Sequence, residues 1–364
     1  MDVFDVAVVG GGPAGSTCAA FCAAAGLRTL VLEREKFPRE KVCGDCVNPA
    51  CRPVLERLNL RQRLQALPHA VLEAVVFIAI DGQSVCVDLP SGDKSEIAIK
   101  RSLFDNLLLA RARELGSEVR DAITVTAIEK TVSRKWRITA GETDFESRVL
   151  IAADGRNSTV ARLCNLLPRP QRERIALQTH IALPPDFGNR VVLQFLKQGY
   201  SGQAPVNENE LNVCLVAKPR DIEGLKEWAL KRFAILHDHP WRTITPLTRA
   251  PLAPAHENLF LIGDAARVVE PFTGEGIYYA LRSGELAANA AVKTVRGQDQ
   301  ETLLREFNCE HAAMYRGRLW INRVARAAVL SPRIASQLVH LARFQPALLR
   351  FLTEKIVRQG GLNP

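Results

Sequence analysis

The chain has 364 residues, of which 47% are hydrophobic and 24% charged, an ordinary globular composition with enough apolar side chains for two or three large cores. No unbroken apolar run is long enough for a membrane span, and nine cysteines without regular spacing fit a reducing compartment better than a disulfide framework. The formal net charge is +9, and most of the excess lies after His311, where nine Arg and Lys face one acid, Glu354.

The first strand begins almost at Met1, so no leader is expected and the expected location is cytoplasmic. Val6 to Val9 reads as a buried parallel strand, Ala14 to Gly26 as a small-residue helix packed close on it, and Leu30 to Glu33 as a second strand. A polar loop, Glu35 to Asn48, leads into short helical stretches up to Leu67. Val71 to Val87 alternates like strands around an Asp81-Gly82 hairpin turn. Ser102 to Gly116 reads as a helix with Ser102 as N-cap and Asp105 in its first turn. Ala122 to Ile128, Lys135 to Ala140 and Val149 to Ala152 read as strands, the last running into Asp154-Gly155. Ile175 to Val216 is β-rich, interrupted by Pro184-Pro185 and by Gly199-Tyr-Ser-Gly202. Leu259 to Ile262 is a further buried strand ending at Gly263-Asp264, and helices dominate thereafter.

The basic tail carries Leu338, Leu341, Leu348, Leu349, Phe351 and Leu352 at helical spacing, with Pro332 and Pro346 as punctuation. It fits a helical subdomain with a solvated basic face. It also fits a segment lying on an anionic membrane surface or covering an apolar substrate entrance. No nucleic-acid-binding motif accompanies the charge, so no nucleic-acid partner is expected.

The opening turn is the most specific motif. Gly10 permits a tight turn, Gly12 lets backbone approach a pyrophosphate beside Pro13 and Ala14, and Gly15 lets helix and strand pack closely. Glu33, with Arg34 after it, ends the second strand where a carboxylate accepts hydrogen bonds from ribose hydroxyls. Asp264 stands at another strand's end. The following Pro271-Phe-Thr-Gly274-Glu-Gly276-Ile277 supplies a glycine-rich helix start, and Asp154-Gly155 a third acidic turn. The order places a β-rich insertion inside a dinucleotide fold. The expected divisions are a discontinuous cofactor domain at 1–70, 96–170 and 250–300, a β-rich substrate domain at 71–95 and 171–249, and a helical region at 301–364.

With these three fingerprints in this order, the sequence resembles the flavoprotein superfamily that shares the fold of p-hydroxybenzoate hydroxylase. The implied fold class is α/β, a Rossmann-like, glutathione-reductase-like FAD domain with an inserted β-rich domain and a helical C-terminal tail. The loop Phe37-Pro-Arg-Glu-Lys-Val-Cys43-Gly44-Asp45-Cys46, the segment from Gly263 to Leu281 and Arg101-Ser-Leu-Phe104-Asp105 are similar to motifs of the geranylgeranyl reductase family. That resemblance implies FAD contacts at Ala14, Glu33, Cys43, Gly44, Cys46, Arg101, Val125, Asp264, Gly276 and Ile277. Cys46 departs from the family's glycine. In the middle domain, Gly202 and Ala204 stand where the family often has tryptophan and phenylalanine beside its substrate channel, while Tyr200 and Pro205 match.

The resemblance implies reduction of carbon–carbon double bonds in an apolar isoprenoid, quinone or polyketide-like substrate, with NAD(P)H or another donor as reductant. Cys43, as proton donor or positioning group, and Tyr200 are the catalytic candidates. The alternative is a flavin monooxygenase that hydroxylates or epoxidises such a substrate, because the same fingerprints serve both. A halogenase is disfavoured, since the four tryptophans, Trp136, Trp228, Trp241 and Trp320, include no WxWxIP motif. A partner-binding protein with structural FAD is the non-enzymatic alternative. Cys43, Cys46 and Cys51 lack a second ligand pair, so no metal is expected, and His237 and His239 read as a polar turn. Cys18 and Cys22, four apart on a helix, read as core.

Overall fold

Four of the apolar runs pair in parallel. In this computed structural model, which describes residues 2–168, 174–270, 274–317 and 331–344, the strand Val3–Val9 lies between Thr29–Leu32 and Thr143–Ala152. Thr143–Ala152 pairs on its far side with Leu259–Leu261. Glu118–Arg120 and Ala255–His256 form the edges, and the hairpin Val125–Lys130/Trp136–Ala140 joins antiparallel to Thr143–Ala152. Val6, Val8, Val31, Val149 and Ile151 pack beneath the helices Pro13–Ala24, Arg101–Glu114 and Gly276–Val295, while Ala7, Leu30 and Leu150 pack on the opposite side. Burial on both faces is why these strands read as continuous apolar runs.

Val9 is level with Leu32 on one side and Ala152 on the other, and Ala152 with Leu261. One residue further on, Gly10, Glu33, Ala153 and Ile262 therefore leave the sheet along one edge. The helices Pro13–Ala24 and Gly276–Val295 cross here at very close range. A Cβ on Gly284 would collide with the Ala14 carbonyl oxygen, and one on Gly15 with that of Gly10. Ser283 fastens the contact by accepting a hydrogen bond from the Gly263 N–H at 2.9 Å.

A second sheet runs in the order Arg242–Ile244, Ile175–Ala182, Glu210–Ala217, Gly199–Pro205, Arg190–Leu196, Ala74–Ile78, Ser84–Asp88. Its pairings are antiparallel except for that between Arg190–Leu196 and Ala74–Ile78. The helix Ile222–Phe233 covers Leu211, Val213 and Leu215 through Leu225 and Ala229. Pro332–Phe344 packs Ala335 and Val339 against Val85 and Val87. A small sheet, Cys46–Val47, Glu96–Ala98 and Ala70–Leu72, has Glu96–Ala98 at its centre.

Several expectations need correction. Gly199 to Gly202 is no interruption but part of a central strand, because a Cβ on Gly199 would run into the Val216 carbonyl oxygen and only glycine admits that approach. The helix expected from Ser102 starts at Arg101 after Lys100, and Ser102 makes no cap. Asp105 therefore lies in the second turn, where it binds Arg101 rather than the helix dipole. Ala122, expected in a strand, has φ +57°, and its strand starts at Val125. The edge strand Glu118–Arg120 and the helix Ile222–Phe233 were not anticipated. Pro271 to Thr273 and the tail residues Pro346, Leu348, Leu349, Phe351 and Leu352 lie outside the described residues.

Overpacking a full interface costs about 1–3 kcal/mol. Gly284→Ala is therefore expected to lower the thermal midpoint measurably and to weaken flavin retention, while Gly297→Ala, whose Cβ position is open, serves as the comparison for helix-end strain alone.

Candidate active site

The shared edge of the parallel strands opens into a cavity of about 500 Å³ that continues onto the second sheet. Gly10, Gly12, Pro13 and Ala14 line its floor, with the N-terminus of the helix Pro13–Ala24 directed into it. Gly15 does not reach the cavity and instead lets the helix pack on the turn at Gly10 and on Ala153. Glu33 is buried and already oriented, its Oε2 accepting from the Gly11 N–H at 2.7 Å and its Oε1 from the Glu35 N–H at 2.9 Å. Arg34 and Val125 line the cavity on this side.

The next wall carries concentrated charge. Asp105, fully buried, receives two hydrogen bonds from Arg101, at 2.7 and 2.8 Å, and an ion pair from Arg39 at 3.1 Å. Arg39 Nη2 lies over Gly12, where a Cβ would come within 3.3 Å of it. Arg156 pairs with Asp264 at 3.2 Å, and Arg249 donates to the Asp264 and Ala265 carbonyls. Lys41 lies among these cations. Burial first, then Arg39, Arg156 and Arg101, lower it to about 8. Asp154 Oδ2 accepts from the Val160 N–H at 3.0 Å, and burial raises this carboxyl.

Arg39 Nη1, Arg156 Nε and Nη1, and Asp154 Oδ1 are buried without a hydrogen-bond partner. Such groups are costly unless paired. A pyrophosphate offers acceptors for the guanidinium groups, and ribose or ribityl hydroxyls offer donors for the carboxylates, so the residues fit an adenine dinucleotide. Of these, Arg39, Lys41, Arg156 and Arg249 belong to no expected set of site residues. The signal available for the first two was the run of bases in the loop after the second strand.

Gly274, Gly276 and Ile277 bring the start of the 20-residue helix Gly276–Val295 to the cavity, and Gly276 has open space where a Cβ would stand. Opposite runs the loop with Cys43, Gly44 and Cys46. The second sheet holds this loop tightly. The Cys43 carbonyl accepts from Gln178 at 3.0 Å, Asn212 at 2.8 Å and the Cys214 thiol at 3.1 Å, while His180 Nε2 lies 2.7 Å from Asp45 Oδ2. Asp45 holds φ +60° and is fully buried. Burial raises its carboxyl to about 6 against the opposing pull of His180. Cys43 faces the cavity, and its thiol is raised by burial although Arg101 opposes the shift. Cys46 is raised further for the same first reason. Both thiols stay protonated and suit donation or packing, not thiolate attack.

Beyond this loop the cavity turns apolar. Tyr200, Gly202 and Ala204 lie on one face of their strand and line it together with Val75, Leu193 and Val216. Tyr200 is buried, which pushes its phenol well up, so it remains neutral.

A dinucleotide fold whose strand ends converge on such a charge cluster, continuous with an apolar chamber, defines an FAD-dependent oxidoreductase. The FAD binding domain family matches residues 3–203, and the chain belongs to it. It is 30% identical to a menaquinone reductase of Mycolicibacterium smegmatis over 78% of this chain and 75% of that protein. It is 29% identical to digeranylgeranylglycerophospholipid reductase 1 of Methanopyrus kandleri, over 81% and 82%. The relation to the geranylgeranyl reductases is thus that of a family member. Among solved structures, a myxobacterial chondrochloren halogenase shares the fold with a TM-score of 0.78 at 21% identity, covering 96% of this chain and 91% of that one.

Asp264→Ala removes one carboxylate from this cluster and strips Arg156 of its partner. The variant is expected to purify without most of its FAD, read from the ratio of flavin to protein absorbance. Full flavin absorbance would refute the assignment of Asp264 to the cofactor.

Proposed function

We propose that this enzyme saturates carbon–carbon double bonds of an apolar isoprenoid or quinone-like substrate, with NAD(P)H or another donor as the source of electrons. The observation that carries the reading is the apolar arm of the cavity, joined to the dinucleotide arm without an intervening wall. The names of the two reductase relatives support it. When bound, FAD supplies hydride chemistry.

In this reading the helix start at Gly10, Gly12, Pro13 and Ala14, with Arg39 and Arg156, holds the pyrophosphate. Glu33, Arg34 and Val125 hold the adenosine, and Asp154 and Asp264 the hydroxyls. Gly274, Gly276 and Ile277 hold one edge of the ring, and Cys43, Gly44, Cys46 and Arg101 the other. Tyr200 and Cys43 remain protonated and donate hydrogen bonds to the substrate. The cofactor unit comprises 1–70, 96–170 and 250–300, and the substrate unit 71–95 and 171–249. Gly202 and Ala204 leave the chamber wide, which suits a ring-bearing substrate better than a bare prenyl chain.

We place the enzyme in the cytoplasm, at the membrane surface where such substrates reside. On the helix Pro332–Phe344, Ile334, Leu338 and Leu341 are exposed beside Arg333, an apolar stripe flanked by charge that supports surface binding. No helix of the described residues is long and apolar enough to cross a membrane.

Extracts of a host with and without the gene, grown with and without air, test the reaction by mass spectrometry. The expected products are heavier by about two mass units per saturated bond in both atmospheres. An oxygen-dependent gain of about sixteen would instead establish the monooxygenase. Ala204→Phe is expected to raise KM or abolish turnover of a quinone-type substrate at unchanged FAD content. Replacing Ile334, Leu338 and Leu341 by Glu is expected to abolish binding to anionic liposomes, and undiminished binding would reject the membrane role.

A further inference from the structure

Glu96 has no part in that reading, yet its placement is unusual. It opens the strand Glu96–Ala98 opposite Leu72, on the same side as Ala98, the side packed with Leu72, Val75, Leu89 and Ala204. Its side chain lines the cavity, only 9% of the residue is exposed, and among the described residues no hydrogen bond or ion pair holds its carboxylate. A Cβ on Gly274 would stand 3.7 Å from Glu96 Oε1, so the carboxylate faces the glycine just before the helix Gly276–Val295. Cys46, whose thiol senses the Glu96 charge, stands near it. Gly274 and Cys46 belong to the two segments assigned above to the flavin ring. Glu96 thus lies where the ring edge meets the apolar chamber.

We propose that Glu96 is the proton donor of the reduction, delivering its carboxyl proton to the substrate carbon adjacent to the one that receives hydride. The inference rests on the reductase reading. The carbon–carbon π bond breaks as a hydride, with its electron pair, passes from reduced FAD to one carbon. The Glu96 O–H bond breaks as the second C–H bond forms, leaving a carboxylate that solvent reprotonates. NAD(P)H or another two-electron donor would restore the reduced cofactor.

The surroundings keep the donor loaded. Burial, then the charge of Glu275, which is itself buried, raises Glu96 to about 7. The thiols of Cys46 and Cys51 also sense Glu96, and both are raised by burial and stay neutral. Glu96 is protonated below about 7, so donation weakens as pH rises through that value. The same shift opposes folding, because holding the charged form in this site is unfavourable. The cost is absent at acid pH and complete above about 7.

The experiment compares wild-type holoenzyme with Glu96→Gln and Glu96→Asp. Infrared titration of the oxidised enzymes should show a protonated carboxyl component that disappears near pH 7 in wild type and is missing from Glu96→Gln, while a component from Asp45, disappearing near pH 6, is common to both. Anaerobic reoxidation of dithionite-reduced enzyme by geranylgeraniol, with the saturated product read by mass spectrometry, should slow by about 100-fold or more in Glu96→Gln and lose its pH dependence, with Glu96→Asp recovering part of the rate. FAD content and reduction by dithionite should be unchanged. In the FAD-free proteins, Glu96→Gln should melt with wild type at about pH 4 and above it at about pH 8, a readout independent of turnover. Wild-type reoxidation rate and pH profile in Glu96→Gln would overturn the donor role alone. A reduced wild-type enzyme that saturates no double bond of geranylgeraniol or of the menaquinone side chain would overturn the reductase reading, and the donor role with it.

Discussion

The site depends on the level pairing of four parallel strands. Because Val9, Leu32, Ala152 and Leu261 are in register, the chain turns that follow them face one edge, and the groups on those turns share one small volume. A parallel sheet concentrates ligand-binding turns at its carboxyl edge for this reason. Beside that edge the helices Pro13–Ala24 and Gly276–Val295 cross closely, which requires glycine at 284, while glycine at 15 lets the first helix pack on the turn at Gly10. The sheet edge and the helix start at Gly276 are therefore parts of one rigid arrangement, with Ser283 hydrogen-bonded to Gly263 between them.

Charge placement within this volume follows a simple division. Carboxylates whose lone pairs are engaged by backbone N–H groups or arginine, such as Glu33 and Asp105, are fixed before any ligand arrives. Guanidinium and carboxylate atoms without partners remain on Arg39, Arg156 and Asp154, residues that line the cavity. Further into the cavity, low polarity acts in the opposite sense. There it keeps the thiols of Cys43 and Cys46, the phenol of Tyr200 and much of the Glu96 carboxyl in their neutral, proton-bearing forms. An anion-binding arm and a proton-bearing apolar arm meet at the loop that Gln178, Asn212 and Cys214 fasten through the Cys43 carbonyl.

The fold was legible where local geometry determines residue type. The turn at Gly10, with φ +105°, the acidic turn before Gly155, with φ +82°, and the Asp81-Gly82 hairpin each demand particular residues at neighbouring positions, and those residues announce them. It was not legible where a distant strand sets the demand. Gly199 looks like a chain break in isolation, but it answers to the backbone of Val216. Asp105 looks like a helix-start acid, yet its partners are Arg101 on its own helix and Arg39 from a loop more than sixty residues earlier. Ser102 has the residue type of a cap but lies one position inside its helix.

The sequence by itself determined the cofactor class, the run of buried parallel strands and the family, because glycine spacing, apolar continuity and acidic strand ends are short-range consequences of backbone geometry. Only the tertiary structure decided that Arg39, Lys41, Arg156 and Glu96 belong to the same cavity as those motifs. Their roles arise from shared burial and from charges many residues away in the chain, and no local pattern encodes a neighbour that the fold alone brings near.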